Sequence, residues 1–97
     1  MVRHVVFFKF KPEVDKQARV EFMGRLRQLQ QDIDVIRKLE VGQNFTESPR
    51  AMDVILTVDV ETQHDLAVYD QHPLHQPVKQ AAAQLCSESR VVDYVVV

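Results

Sequence analysis

Residues 2–11 carry two apolar stripes in alternation, and that double stripe limits the folds open to the chain more than any other feature. Read as a strand, the segment puts Val2, His4, Val6, Phe8 and Phe10 on one face and Arg3, Val5, Phe7, Lys9 and Lys11 on the other. Large apolar side chains stand at the centre of both faces. A strand with one wet face does not tolerate Val5 and Phe7 on it, so both faces of the sheet holding this strand must be covered. Arg3, His4 and Lys9 interrupt the apolar run, and no small-residue cleavage pattern follows. The stretch therefore reads as structure and not as a signal peptide.

The rest of the chain supplies the partners. Lys11-Pro12-Glu13 breaks the strand and Asp15 is a helix N-cap. Ala18, Phe22, Leu26, Leu29 and Ile33 then recur at helical spacing, with a polar opposite side, until Asp32–Asp34 ends the helix. Residues 35–44 form a second strand whose Arg37, Lys38 and Glu40 suit a sheet edge, and Gly42 within it marks a bulge or a close backbone approach. A polar loop over 43–50 leads to a third strand, 52–60, with Val54, Leu56, Val58 and Val60 on one face and Ile55 and Thr57 on the other. Thr62 caps a short helix on which Leu66 and Tyr69 share the inner face, while His64 and Asp70 point outward. A further helix is expected over 77–87, with Val78, Ala82 and Leu85 inward, and a valine-rich strand over 90–97. The order β-α-β-β-α-β, with its second helix broken in two, builds one α+β domain over residues 1–97. It is a four-stranded antiparallel sheet with the helices on one face, the ferredoxin-like fold.

Helices on one face leave the other unprotected. Val5, Phe7, Ile55 and one set of side chains of the last strand project there, and each forgoes roughly 1.5–3 kcal/mol if left wet. A second copy packed sheet against sheet removes that cost. A two-fold homodimer through this face is the expectation.

Composition narrows the function classes. A net charge of −2 with interspersed signs offers no basic stripe for nucleic acid. No apolar run is long enough to span a membrane, and the expected location is the cytoplasm. The single cysteine, Cys86, has no disulfide partner within the chain.

Chemistry concentrates in Tyr69-Asp70-Gln71-His72-Pro73-Leu74-His75, where two of the four histidines flank a proline. Residues before prolines are pushed out of the helical region, so His72 and Gln76 are expected to be non-helical, with Pro77 opening the next helix. A turn entering a helix holds two imidazoles rigidly, and imidazole is the side chain best poised for proton transfer near neutral pH. The plainer role for these histidines is to cap backbone groups of the turn. Two histidines three apart can also ligate zinc, but no further ligand is fixed beside them, so no metal is expected.

This turn, with Arg3-His4-Val5-Val6-Phe7-Phe8-Lys9-Phe10-Lys11, Leu39-Glu40-Val41-Gly42-Gln43-Asn44 and the ending Val92-Asp93-Tyr94, resembles the stress-responsive α/β-barrel domain (Dabb) family over essentially the whole chain. The Tyr-x-x-His-Pro-x-His element is its specific part. The resemblance implies a dimeric α/β barrel of two ferredoxin-like protomers. Its best-understood catalytic relative is the plant polyketide cyclase that forms olivetolic acid, which closes a linear thioester by an intramolecular aldol reaction without a metal or organic cofactor. That relative's catalytic residues correspond here to His4, Tyr69 and His75, whereas a tyrosine of its first helix corresponds to Leu26. The expected site is an apolar cleft between helices and sheet, walled by Val6, Phe8, Phe22 and Leu26, into which His4, Tyr69 and His75 converge. It would bind or cyclise a small apolar or acyl compound with no cofactor. His72 is expected to anchor the turn, and replacement of His75 to spare stability. The alternatives are a non-catalytic stress-related binding or structural protein and, by fold analogy, a cofactor-free monooxygenase.

Overall fold

A computed structural model describes residues 1–97. It comprises β1 (Val2–Phe10), α1 (Lys16–Asp32), β2 (Lys38–Gln43), β3 (Val54–Val60), α2 (Gln63–Gln71), α3 (Gln76–Leu85) and β4 (Cys86–Val95). The strands form one antiparallel sheet in the order β2-β3-β1-β4, the ferredoxin-like arrangement. The helix starts follow local chemistry: the Asp15 carboxylate accepts from the Ala18 N–H at 2.8 Å, and the Thr62 hydroxyl from the Asp65 N–H at 3.0 Å.

β1 and β3 pair Val6 with Leu56 and Phe8 with Val54, so the stripes of both strands meet on the helix side. There Phe8, Phe10, Val54, Leu56, Val58 and Val60 pack against Phe22, Met23, Leu26 and Leu29 of α1, with Tyr69 of α2 and Val78 of α3 completing the core. The other face holds Arg3, Val5, Phe7, Ile55, Thr57, Asp59, Val92 and Tyr94 around an open hollow of about 560 Å³. Gly42 sits opposite Ile55, and a Cβ added to it would lie 2.9 Å from the Ile55 Cγ2 atom. The crowding at this glycine comes from a side chain and not from the close backbone approach or bulge expected, and the β2–β3 register runs through it unbroken.

Several boundaries differ from those expected; β3 starts at Val54 and not at residue 52, and β4 ends at Val95 and not at residue 97. β2 starts at Lys38 and not at residue 35, because Val35 and Ile36 lie in the turn and pack on the core before the ladder starts. Gln76 is helical although Pro77 follows it, as the first residue of α3. The largest change is at the C-terminal strand, which starts at Cys86, where helix was expected. β1 supplies the reason: its whole length needs a partner, and the ladder runs from Val2 opposite Val95 to Phe10 opposite Cys86. The Lys11 N–H then donates to the Leu85 carbonyl at 2.8 Å, closing the register. Backbone pairing overrides the weak strand preference of Ser87-Glu88-Ser89.

Candidate functional site

Antiparallel pairing of β1 with β4 sets His4 opposite Asp93 on the helix side, and the His4 Nδ1 lies 2.5 Å from an Asp93 carboxylate oxygen. A carboxylate accepts, so His4 Nδ1 carries the hydrogen of this bond. Above His4, helix α2 turns Tyr69 inward, and the two rings meet edge to face at 5.6 Å. Residues 72–75 then reverse the chain and bring His75 back over Tyr69, with ring centroids 4.3 Å apart.

His75 is 8% exposed, and its Nδ1 lies 3.2 Å from the carbonyls of both Tyr69 and Asp70. Carbonyls carry no proton to give, so this nitrogen is the donor and Nε2 is a bare acceptor. Burial pushes the His75 pKa below the ordinary imidazole value, outweighing the opposing pull of the Asp70 backbone. Tyr69 is fully buried, and its hydroxyl has no hydrogen-bond partner. Burial, reinforced by the Asp70 charge, drives the Tyr69 pKa far up, which fixes the group as a proton donor and not a base. The site thus holds an acceptor ring and a buried hydroxyl whose hydrogen bond is unmade, and a buried polar group left that way costs about 1–3 kcal/mol.

His4, Tyr69 and His75 line one cleft of about 490 Å³ between α2, α3 and the β4 side of the sheet. Its apolar walls include Val6, Phe8, Leu26, Leu56, Val78 and Val91. Phe22, expected among the walls, is not one of them. It is buried behind Phe8 and Phe10, edge to face with both rings at 5.3 and 5.8 Å, and serves the core. The charged groups around the cleft are paired within the chain: Lys79 holds Asp70 at 2.8 Å, and Arg90 holds Glu88 at 2.9 Å. Lys79 keeps the Asp70 pKa below the usual carboxylate range.

His72 lies apart from this group. Its Nδ1 accepts the Leu74 N–H at 3.1 Å, and its backbone caps α2, so it fastens the turn. No three His, Cys, Asp or Glu side chains group in a way that could hold a metal ion.

The sequence reading missed Asp93, Lys79 and the Ser87–Ser89 rim. One signal pointed to Asp93, a lone carboxylate in a run of valines. Lys79 lacked any, because its partner Asp70 was placed facing outward, and the rim was hidden by the misplaced start of β4.

The fold and site together define a ferredoxin-like α+β domain with a histidine- and tyrosine-lined cleft beneath a broken second helix. The model of the stress-responsive A/B barrel domain, Dabb, matches residues 2–96, and the chain belongs to that family. Among solved structures, a dimeric ferredoxin-like protein of unknown function from Bacteroides fragilis is 26% identical, with a TM-score of 0.80 over 98% of this chain and 95% of its own. A Dabb protein from Mesorhizobium loti is 19% identical, with a TM-score of 0.83 over 99% and 96% of the two chains. The hydroxynitrile lyase of Passiflora edulis is 14% identical, with a TM-score of 0.89 over 98% and 92%. No functionally curated protein matches the sequence significantly. No helix is long and apolar enough to cross a membrane.

Proposed function

We propose that this Dabb protein binds a small apolar compound bearing a carbonyl and performs cofactor-free acid–base chemistry on it, of the kind that closes a β-polyketide-like acyl chain. The observation that carries this reading is Tyr69, whose hydroxyl is buried and unpartnered and whose ring lines the same cleft as, and packs against, the ring of His75. A ligand carbonyl oxygen supplies the missing acceptor. The His75 Nε2 then takes a proton from the carbon α to that carbonyl, and the C–H electron pair becomes an enolate whose oxygen the Tyr69 O–H stabilises. The enolate carbon attacks a second carbonyl of the same molecule, one C–C bond forms, and the alkoxide so made takes the proton back from the imidazolium. His4, held by Asp93, completes the polar side of the cleft.

We further infer that the chain works as a homodimer through the open sheet face. Val92 and Tyr94 stand exposed beside Val5, Phe7 and Ile55 there, and the Bacteroides fragilis protein is described as dimeric.

Calorimetric titration with the N-methyl amide of β-oxooctanoic acid tests the binding. Wild type is expected to bind, and Tyr69→Phe to bind several-fold more weakly with its fold intact. His75→Gln is expected to abolish cyclisation of a tetraketide thioester. Equal affinity in wild type and Tyr69→Phe contradicts the reading. Absence of all turnover beside intact binding favours a binding protein, and oxygen consumption with a quinol favours a monooxygenase.

A further inference from the structure

His4 borders a second hollow. Between α2 and the end of β4 lies a groove of about 580 Å³ whose walls include Gln63, Leu66, Ala67 and Val95, and it shares His4 and Asp70 with the Tyr69 cleft. The shared walls make the two hollows neighbours at His4 and Asp70, so a molecule whose reacting carbonyl sits at Tyr69 has the groove as its next space. The groove's chemistry differs from the cleft's. Asp93 has given one carboxylate oxygen to His4, and Asp70 is engaged by Lys79, which leaves carboxylate lone pairs and the exposed Gln63 amide to meet a ligand. No lysine or arginine lines this groove. Carboxylates recruit N–H and O–H donors and repel an anion.

Resting on the reading of the cleft above, we propose that the groove is a second subsite which holds the distal part of the same ligand, an uncharged arm bearing amide or hydroxyl donors. The ligand class is thereby an acyl compound with an apolar tail in the cleft, its β-oxo group at Tyr69 and His75, and a neutral amide-bearing arm extending past His4.

Two amides of β-oxooctanoic acid that differ only in this arm separate the ideas: the N-methyl amide, which ends at the cleft, and the N-(acetamidoethyl) amide, which enters the groove. Wild type is expected to bind the longer amide about three- to tenfold more tightly, the return on one or two added hydrogen bonds. Ala67→Trp and Gln63→Trp, both at exposed helix positions, are each expected to erase that gain and leave the N-methyl amide's affinity unchanged. An N-(carboxypropyl) arm is expected to bind more weakly than the acetamidoethyl one. In wild-type protein, the backbone amide resonances of Gln63 and Ala67 should move with the long ligand and not the short one, a readout independent of either variant. Equal affinity of the two amides for wild type, a gain that survives both tryptophans, or tighter binding of the carboxylate overturns the second subsite while leaving the cleft reading in place. Failure of the N-methyl amide to bind wild type overturns both.

Discussion

His75 combines two duties that the sequence separated between the two histidines. It is buried and ties the carbonyls of Tyr69 and Asp70, so it holds the turn as well as presenting its free nitrogen. Replacement by Gln is therefore expected to cost about 1 kcal/mol of stability, contrary to the sparing effect its place in a motif suggested. His72→Ala, which strips the acceptor from the Leu74 N–H at an exposed site, should cost a similar ~0.5–1 kcal/mol and leave ligand affinity untouched. The pH dependence separates them further. Because burial lowers the folded pKa of His75, its neutral form is favoured in the native state. The associated stability is complete above the ordinary histidine value of 6.5 and is lost as pH falls from there toward the lowered folded value. The Asp59 and Asp70 contributions vanish in a more acidic window, since both carboxylates have pKa values held below 3.8 by Arg3 and Lys79. Thermal melts between pH 7.5 and 5 should show a fall in midpoint for wild type that is shallower in His75→Gln. The inward face of Tyr69 was legible from its helical spacing with Leu66, whereas the turn's spacing alone did not separate His75 from His72, and only the family resemblance singled it out. Asp93 as the partner of His4 was not legible, because which residue faces His4 depends on the β1–β4 register, and no local pattern encodes a pairing between residues 89 positions apart.

At the scale of elements, the two glycines make opposite predictions. Gly42 on β2 faces the Ile55 side chain too closely for a Cβ, so Gly42→Val should destabilise by ~1–3 kcal/mol as the β-branched neighbour is forced aside. Gly24 lies mid-helix on the exposed side of α1 with nothing within 4 Å of an added Cβ, and Gly24→Ala should stabilise by ~0.5–1 kcal/mol. Urea unfolding of the two variants beside wild type reads both signs. Elements with a strong internal period were legible from sequence: α1 from its apolar stripe and cap, β1 and β3 from alternation, α2 from Thr62. β4 was the exception. Its first half, Cys86-Ser87-Glu88-Ser89, lacks a strand pattern and becomes strand because β1 offers it unpaired backbone. That exchange of helix for strand also places Ser87, Glu88 and Ser89 on the rim of the cleft.

For the whole molecule, the sheet's two faces divide the work, with the core and cleft on one and the proposed dimer contact on the other. On the open face Arg3 grips Asp59 with two hydrogen bonds of 2.7 and 3.0 Å, so that charge enters an interface already paired. Phe7→Glu would bury an unpaired carboxylate there and should yield monomer or aggregate in sedimentation velocity; a well-folded dimer would take this face out of the contact. The helix side holds the cleft, which is proposed to move protons next to a carbonyl. Proton exchange into a β-oxo amide tests it most directly, since exchange needs only the base and the enolate donor and not a matched second carbonyl. The N-methyl amide of β-oxooctanoic acid is incubated in D₂O and its α-protons are followed by NMR. Exchange faster than buffer is expected with wild type, reduced by at least about tenfold in Tyr69→Phe and to the buffer rate in His75→Gln. Exchange equally fast in wild type and His75→Gln, or no faster than buffer in wild type that binds the amide, would contradict it.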